Sequence, residues 1–449
     1  MEQIKDWYRL CHHRIKKNIL NHFMPAGYPT TIDKGYSQFA ISSFFASFSG
    51  TSLMILSTHS LLLAVGVGSS TSAPAAAALN WVMKDGVGQL GGILFASNIG
   101  TGHSLLGSSF DSDPKRWRMI SAIMLDISIF LEVLSPLFPA FFLPIASFAN
   151  VLKNISFLTG SATCASIHQA LSREGNLADV TAKVASQRIV ASILGTLIGI
   201  PLSSYAEGHV PMIAAYFFIL SASHQYFTYE SLKSVTFDEI NKQRMYLIMK
   251  FYFKEIKSFD SAMKCGVDSS NINPYSLAKQ ESFFPFQNPH DFHQWLKIGS
   301  ELNVLCPKGV HEFWHLRHYC IGEQENYILN CCITQKDNNK FKVDTVWLTF
   351  LEDAKAEDII RGYFHAYTLR KLAKTKSYDN AKYSYNLNHI LISESHSTMN
   401  KQIGDFNFAV KKAGWKISSK GNLTHLVSGY QLQIERCANK NNLVRKSNV

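Results

Sequence analysis

The chain has 449 residues, more than one ordinary domain, with a net charge of +11 and eight cysteines. None of the cysteines has CxxC spacing, and there is no zinc-finger spacing, basic helix or aromatic RNA-binding pattern. These observations exclude a disulfide framework and a nucleic-acid module, and leave reduced thiols and anionic lipid as the partner of a basic chain.

A mean hydropathy close to zero averages two unlike halves. From Phe39 to Leu232 charges are sparse and apolar, Gly, Ala and Ser residues dominate, whereas from Lys233 onward the chain is mixed. The first residues carry no apolar secretory core, so no signal peptide is expected. Ile4, Tyr8, Cys11, Ile15 and Ile19 recur at helical spacing among Arg9, Arg14, Lys16 and Lys17. Such a helix lies in a headgroup layer or packs on the protein's own cytosolic domain.

Six stretches then reach the length that crosses hydrocarbon: Phe39–Val67, Ala75–Ser97, Met119–Leu134, Pro139–Leu158, Ile189–Tyr205 and Met212–Leu232. Several are short, or interrupted by Pro136, Pro139 and Pro144, and each taken singly also fits a buried core helix. Charge placement favours membrane spans. Lys and Arg collect before the first stretch, between the second and third (Lys115, Arg116, Arg118), between the fourth and fifth (Arg173, Lys183, Arg188), and after the sixth. The intervening connections, Gly68–Pro74, Ser135–Phe138 and Ala206–Pro211, hold none. That alternation predicts six spans with both termini cytosolic. Gly88, Gly92, Ala96 and Gly100 recur every four residues, as do Ala191, Gly195 and Gly199, which predicts close helix crossings.

Ionisable residues inside the spans are functional candidates by default. Lys84 and Asp85 fall in the second span and Asp126 in the third, with Gln89, Asn98 and His103 extending the polar face. They form either a structural salt bridge fixing helix register or a polar site lining a cavity. Asn176, Asp179, Lys183 and Gln187 fall in a connection that reads as an ordered loop, where Asn176 is placed to cap a helix and Asp179–Lys183 has i, i+4 spacing.

Within this frame several blocks resemble the root UVB sensitive family: Phe23–Pro29 (FMPAGYP), Trp81–Ala96 (WVMKDGVGQLGGILFA), Lys115–Arg118 (KRWR), Leu131–Pro144 and Gly175–Gln187 (GNLADVTAKVASQ). His224–Tyr229 and Asn241–Arg244 are weaker echoes, and the resemblance covers about Phe23 to Met245 in order. Three positions depart from the family pattern. No clear Trp stands in Tyr36–Phe48, Leu125 precedes Asp126 where members often have Asn, and Cys164 stands where many members carry Arg. The resemblance implies a link, known for plant members, to vitamin B6 homeostasis and auxin transport. It implies no catalytic residue and no cofactor.

The C-terminal part reads as a small α+β unit. Tyr327–Thr334 and Phe341–Phe350 are predicted strands joined by a polar turn at Lys336–Asn339. A helix is predicted over Ala356–Leu372 with Ile359, Ile360, Tyr363, Phe364 and Tyr367 on one face, another over Asn400–Lys412, and a strand over His425–Ile434. His311–His315 matches the HExxH pattern, with His318 as a conceivable third ligand, but lacks the context of a zinc protease helix, so no metal is expected there.

The expected fold is therefore mainly α: a multi-pass helical membrane domain of about six spans followed by a small cytosolic α+β domain. Its parts are a basic amphipathic segment (1–35), a membrane domain (36–235), a helix and linker (236–288) and the α+β domain (289–449). Two functions compete. One is a membrane-anchored scaffold that binds partners and acts in small-metabolite homeostasis. The other is a solute-transporter-like unit working as a dimer. The expected partners are the lipid bilayer and a second copy or related family member, with no nucleic acid, and enzymatic activity is not expected.

Overall fold

A computed structural model describes residues 23–66, 74–99, 110, 112–173, 175–255, 270–284, 294–337, 340–375, 387–417, 426, 430–435 and 443–448. The basic segment before residue 23, Gly100, His103 and the side chain of Asn98 lie outside this description. The chain divides into two units, residues 1–237 with 283–285, and residues 238–282 with 286–449.

The first unit is built from six long helices: α1 Tyr36–Ala64, α2 Pro74–Ile99, α3 Pro114–Leu134, α4 Phe142–Leu171, α5 Leu177–Tyr205 and α6 Val210–Ser234. Four helical stretches, Tyr36–Ala64, Pro114–Leu137, Pro139–Leu171 and Leu177–Tyr205, are long and apolar enough to cross a membrane by length and composition. The other two long helices, α2 and α6, carry more polar residues, including Lys84, Asp85 and Gln89 in α2 and His224, Gln225 and Glu230 in α6. Between α3 and α4 the chain makes two tight 3-10 turns, Ser135–Leu137 and Pro139–Phe141. Pro136 and Pro139 lack the N–H that an uninterrupted helix requires, while Pro144 is tolerated in the first turn of α4.

Helix α1 packs against α5, α6 and α3, while α4 packs against both α2 and α3. The start of α1 approaches the end of α6 so closely that a Cβ at Gly35 would collide with the carbonyl oxygen of Ser234. Many side chains between helices are small and polar: Ser42, Ser49, Ser52, Ser57 and Ser60 of α1 are all buried, beside Leu53, Leu56 and Leu61 of the same helix. Outward positions are apolar, with Ile93 64%, Leu197 62% and Ile219 66% exposed. Water would disfavour so large an apolar surface, whereas lipid accepts it.

The second unit opens with α7 Lys242–Glu255 and α8 Pro274–Ala278. It continues through β1 Leu296–Ile298, α9 Leu302–Leu305, α10 Val310–His315, a π-turn Leu316–Ile321, β2 Tyr327–Asp337 and β3 Lys340–Phe350. Helices α11 Ala356–Thr375 and α12 Leu387–Lys412 and strands β4 Tyr430–Glu435 and β5 Leu443–Asn448 complete it. Strand β3 is central, pairing antiparallel with β2 and parallel with β1, so that Leu329 opposes Leu348 and Leu296 opposes Val346. Helix α11 lies on β3, and Gly362 makes the close approach: a Cβ there would sit 2.9 Å from the Phe350 ring. Ile359, Ile360, Tyr363 and Phe364 are buried as the apolar face of α11 predicts, in a core shared with Leu348, Phe350, Ile392 and Phe406. Helix α12 begins at Leu387, well before the expected Asn400. Leu391, Ile392 and Met399 bury one face of that extension, and this packing overrides the poor helix propensity of its Ser, His and Asn residues.

Candidate functional site

The spacing of small residues in α5 and α2 produces two different crossings. A Cβ at Gly195 would lie 2.6 Å from the Phe48 carbonyl oxygen, and one at Gly199 would lie 3.0 Å from Ile55 Cβ, so α5 meets the backbone of α1 at Gly195 and a side chain at Gly199. In α2, Gly88 and Gly91 face Asn150 and Val151 of α4 too closely for a Cβ, whereas a Cβ at Gly92 would make only an ordinary contact at 3.4 Å. Ala96 points outward and is exposed. The α2 crossing is therefore carried by Gly88 and Gly91, not by the whole four-residue repeat.

The three charges singled out in the spans do not meet in one cluster. Lys84 Nζ pairs with Asp85 Oδ1 at 2.6 Å and lies 4.7 Å from the centroid of the Trp81 ring. Asn150 of α4 donates to both the Lys84 carbonyl and Asp85 Oδ1, each at 3.1 Å. Asp126 belongs to a separate hub between α3 and α6. It accepts from His224 Nδ1 at 2.7 Å, Ser221 Oγ at 2.6 Å and Gln225 Nε2 at 2.7 Å. A third group has no counterpart in the sequence reading: Glu132 of α3, fully buried, accepts from Lys153 Nζ of α4 and Ser57 Oγ of α1. Glu132 and Lys153 were visible as charges inside apolar runs, which is the signal that could have found them.

The stretch 175–187 is not a loop beyond its first residues, because α5 starts at Leu177. Asn176 stands at the N-cap position but spends its side chain elsewhere: Nδ2 donates to the Thr31 carbonyl and hydroxyl, each at 3.3 Å, and Oδ1 accepts from Ser172. Asp179 Oδ2 accepts from the Ala26 N–H at 2.6 Å, and Gln187 Nε2 donates to the Phe23 carbonyl at 2.7 Å. Lys183 lies half-buried on the same helix. Arg173 pairs with Asp33 at 2.8 Å, closing the set. The motif before α1 and the motif opening α5 are thus two halves of one polar clamp that fixes the entry of the chain into the helical unit.

In this unit α1, α3, α4, α5 and α6 line a half-open cavity of about 610 Å³. Its wall is rich in serine (Ser43, Ser47, Ser121, Ser156, Ser161, Ser192) and carries Arg118, Arg188, His168, His224 and Cys164. Room for Arg118 is made by Gly160, where a Cβ would fall 2.6 Å from Nη1. Arg118 Nη1 is 3.4 Å from Ser121 Oγ, and Ser121 donates in turn to the Ser156 carbonyl at 2.9 Å. His168 sits between Cys164 Sγ, 3.3 Å from Nε2, and Thr181 Oγ1, 3.0 Å from Nδ1. Among the described residues, no carboxylate forms an ion pair with Arg118 or Arg188. Lys84, Asp85 and Asp126 do not line the cavity. Of the arginines that do, Arg188 was read in the sequence as a marker of topology and Arg118 as that and as part of the KRWR block, and Cys164, one of the departures from the family pattern, falls on this wall.

Such an arrangement, with an apolar exterior, small and polar crossings and a basic polar cavity, joined in sequence to an apolar-cored α/β unit, defines a membrane-associated helical protein with a C-terminal domain of its own. Comparison with known proteins gives its kinship. A family model described as the vitamin B6 photo-protection and homoeostasis domain matches residues 11–256, and one described as root UVB sensitive protein, C-terminal, matches residues 272–423. The chain belongs to the root UVB sensitive family. It is 23% identical to protein root UVB sensitive 3 of Arabidopsis thaliana over 407 residues, which cover 89% of this chain and 83% of the relative. It is 27% identical to protein root UVB sensitive 2, chloroplastic, of the same plant over 413 residues, covering 92% and 85%. With RUS family member 1 of Dictyostelium discoideum it shares 30% identity over 242 residues, covering 53% and 45%. No solved structure matches.

Proposed function

We propose that the helical unit binds a small organic anion within the membrane and passes it across. The observation that supports this reading is the pair Arg118 and Arg188 on one cavity of about 610 Å³, with no carboxylate partner among the described residues. A guanidinium stays charged at any physiological pH, and a cation held among membrane helices without a counter-charge is costly, which applies to the half-buried Arg118 while Arg188 lies exposed at the rim. A phosphate or carboxylate on a bound solute supplies that counter-charge through charge-assisted hydrogen bonds. The volume suits a small metabolite. Phosphorylated B6 vitamers and auxin, the solutes linked to plant relatives, are both small aromatic anions. The charge alternation around the six helices supports six spans with both termini and the C-terminal unit cytosolic. Six spans amount to half of many carriers, which supports a homodimer or a pair with a related protein. A scaffold remains the second reading, favoured by the local satisfaction of Lys84, Asp85 and Asp126.

The test uses the full chain, purified and reconstituted in lipid. Binding and uptake of pyridoxal 5′-phosphate and indole-3-acetate are measured, with uncharged pyridoxine as control. At least one anion is expected to bind. Arg118→Gln and Arg188→Gln should each weaken it roughly 10- to 100-fold, the equivalent of one charged hydrogen bond, while Lys84→Met leaves affinity unchanged. A folded parent that binds neither anion, or a double arginine variant that binds as the parent does, overturns the reading in favour of the scaffold.

A further inference from the structure

We propose that His315, Cys320 and His389 of the second unit form a site for a divalent transition-metal ion, Zn²⁺ by the character of the ligand set. One ligand atom from each of the three lies within 4.8 Å of the others. His315 closes α10 and Cys320 follows five residues later in the π-turn Leu316–Ile321. In an α-helix residues i and i+5 diverge by roughly 140°. The wider π-turn returns them to one side, and such turns gather at functional sites. Cys320 Sγ thereby comes to 4.0 Å from His315 Nδ1. His389, in the first turn of α12, supplies the third group, its ring centroid 4.6 Å from that of His315.

Aromatic packing alone would account for the closeness of the two rings. It leaves His389 Nδ1 buried without a hydrogen-bond partner, which native structures rarely tolerate. A bound ion satisfies that nitrogen. Tetrahedral zinc with one sulfur and two nitrogen ligands sets S···N separations of about 3.5 Å, so side-chain rotations of roughly an ångström or less complete the shell. Binding displaces the thiol proton of Cys320 to solvent. Of the three groups, Cys320 alone also lines an open cleft of about 500 Å³, shared with Gly322, His396 and Asn400. The site is not the one that the HExxH pattern would build. His311 is exposed, and His318 pairs with Glu323 at 2.5 Å.

The full chain, purified in detergent and stripped with chelator, is titrated with Zn²⁺ and with Co²⁺ as a spectroscopic substitute. One equivalent is expected to bind, with a thiolate-to-cobalt charge-transfer band and a thermal midpoint that rises with Zn²⁺ and not with Mg²⁺. Cys320→Ser should abolish that band, and His315→Ala and His389→Ala should each weaken binding at least tenfold. His311→Ala and His318→Ala should bind as the parent does. Should the ligand variants fail to accumulate, alkylation mapped by mass spectrometry decides on the parent itself, since Zn²⁺ must slow modification of Cys320 relative to the stripped protein. A folded parent that binds no stoichiometric metal, an unprotected Cys320, or loss of the ion in His311→Ala overturns the proposal.

Discussion

The two units differ in what they press between their elements and what they turn outward. In the helical unit Ser52, Ser57, Ser121, Ser128, Gly195 and Gly199 are pressed between helices beside small apolar clusters such as Leu53, Leu56, Ile129 and Phe217, while Leu90, Ile93, Leu197 and Ile219 point outward. In the C-terminal unit Leu329, Leu348, Phe350, Tyr363, Phe364 and Phe406 are inside. Lipid offers no hydrophobic gain for bringing apolar side chains together, so close approach and hydrogen bonds hold the first unit. Apolar burial from water holds the second. Both units bury ion pairs: Glu132 meets Lys153 across helices in the first, and Arg244 meets Glu281 in the second.

The sharpest way to break this contrast is to remove one partner of the pair Lys153–Glu132. Lys153→Met leaves a fully buried carboxylate whose remaining neighbour is Ser57. The expected destabilisation is about 3–5 kcal/mol, with most of it recovered in Lys153→Met combined with Glu132→Gln. Thermal midpoints of the purified variants measure it. Equal stability of the single and double variants would mean that the carboxylate is protonated or hydrated in the parent.

Acid probes the other unit. His365 is fully buried, its Nδ1 3.1 Å from Tyr327 Oη and its Nε2 2.9 Å from Ser395 Oγ. Burial, reinforced by the nearby His396, lowers its pKa to about 3. An unfolded histidine titrates near 6.5, so below that pH the unfolded chain takes up a proton that the folded chain refuses. Stability then falls by up to about 1.4 kcal/mol per pH unit as the pH drops from about 6.5 toward 3. Glu325 adds to the loss at lower pH. Burial raises its pKa, but hydrogen bonds from His396 and Arg361 outweigh burial and hold it at about 2. Its contribution is full above about pH 4.3 and is lost as the pH falls through about 2. Hydrogen exchange in peptides from α11, corrected for the intrinsic rate, should show protection falling from pH 6.5 to 4.5. His365→Gln, which has no proton to gain, should flatten that slope.

The sequence showed the six helices because long apolar runs and basic connections are one-dimensional signals. Their ends were less visible. Helix α4 was expected to stop near Leu158 but continues to Leu171, because Thr159, Gly160 and Thr163 are buried small residues of a membrane crossing, not loop formers. Helix α5 starts at Leu177, not near Ile189, because Asp179, Lys183 and Gln187 form its polar opening turns. The site was harder still. Arg118 and Arg188 are far apart in the chain and become a cavity pair only through five packed helices. Cys320 and His389 likewise meet through a π-turn that no sequence period marks.

The smallest effect separates two glycines that the sequence treats alike. Gly195 and Gly92 each sit in a four-residue repeat, yet a Cβ at Gly195 meets the Phe48 backbone oxygen at 2.6 Å while one at Gly92 meets only Asn154 Cβ at 3.4 Å. A backbone atom cannot rotate away, so Gly195→Ala must push α5 off α1, at about 1–3 kcal/mol. The same crossing carries the hydrogen bond from Ser52 Oγ to the Gly195 carbonyl, 3.0 Å long, which the shift would stretch. Gly92→Ala has no such obstacle and gains up to about 1 kcal/mol of helix propensity, so its thermal midpoint should equal or exceed that of the parent. Placing both variants beside Gly362→Ala, where the clash is with the movable rings of Phe350 in the apolar core, completes the comparison. A larger loss at Gly92 than at Gly195 would show that the closest contact of α2 falls at Gly92 and that the α5–α1 crossing yields.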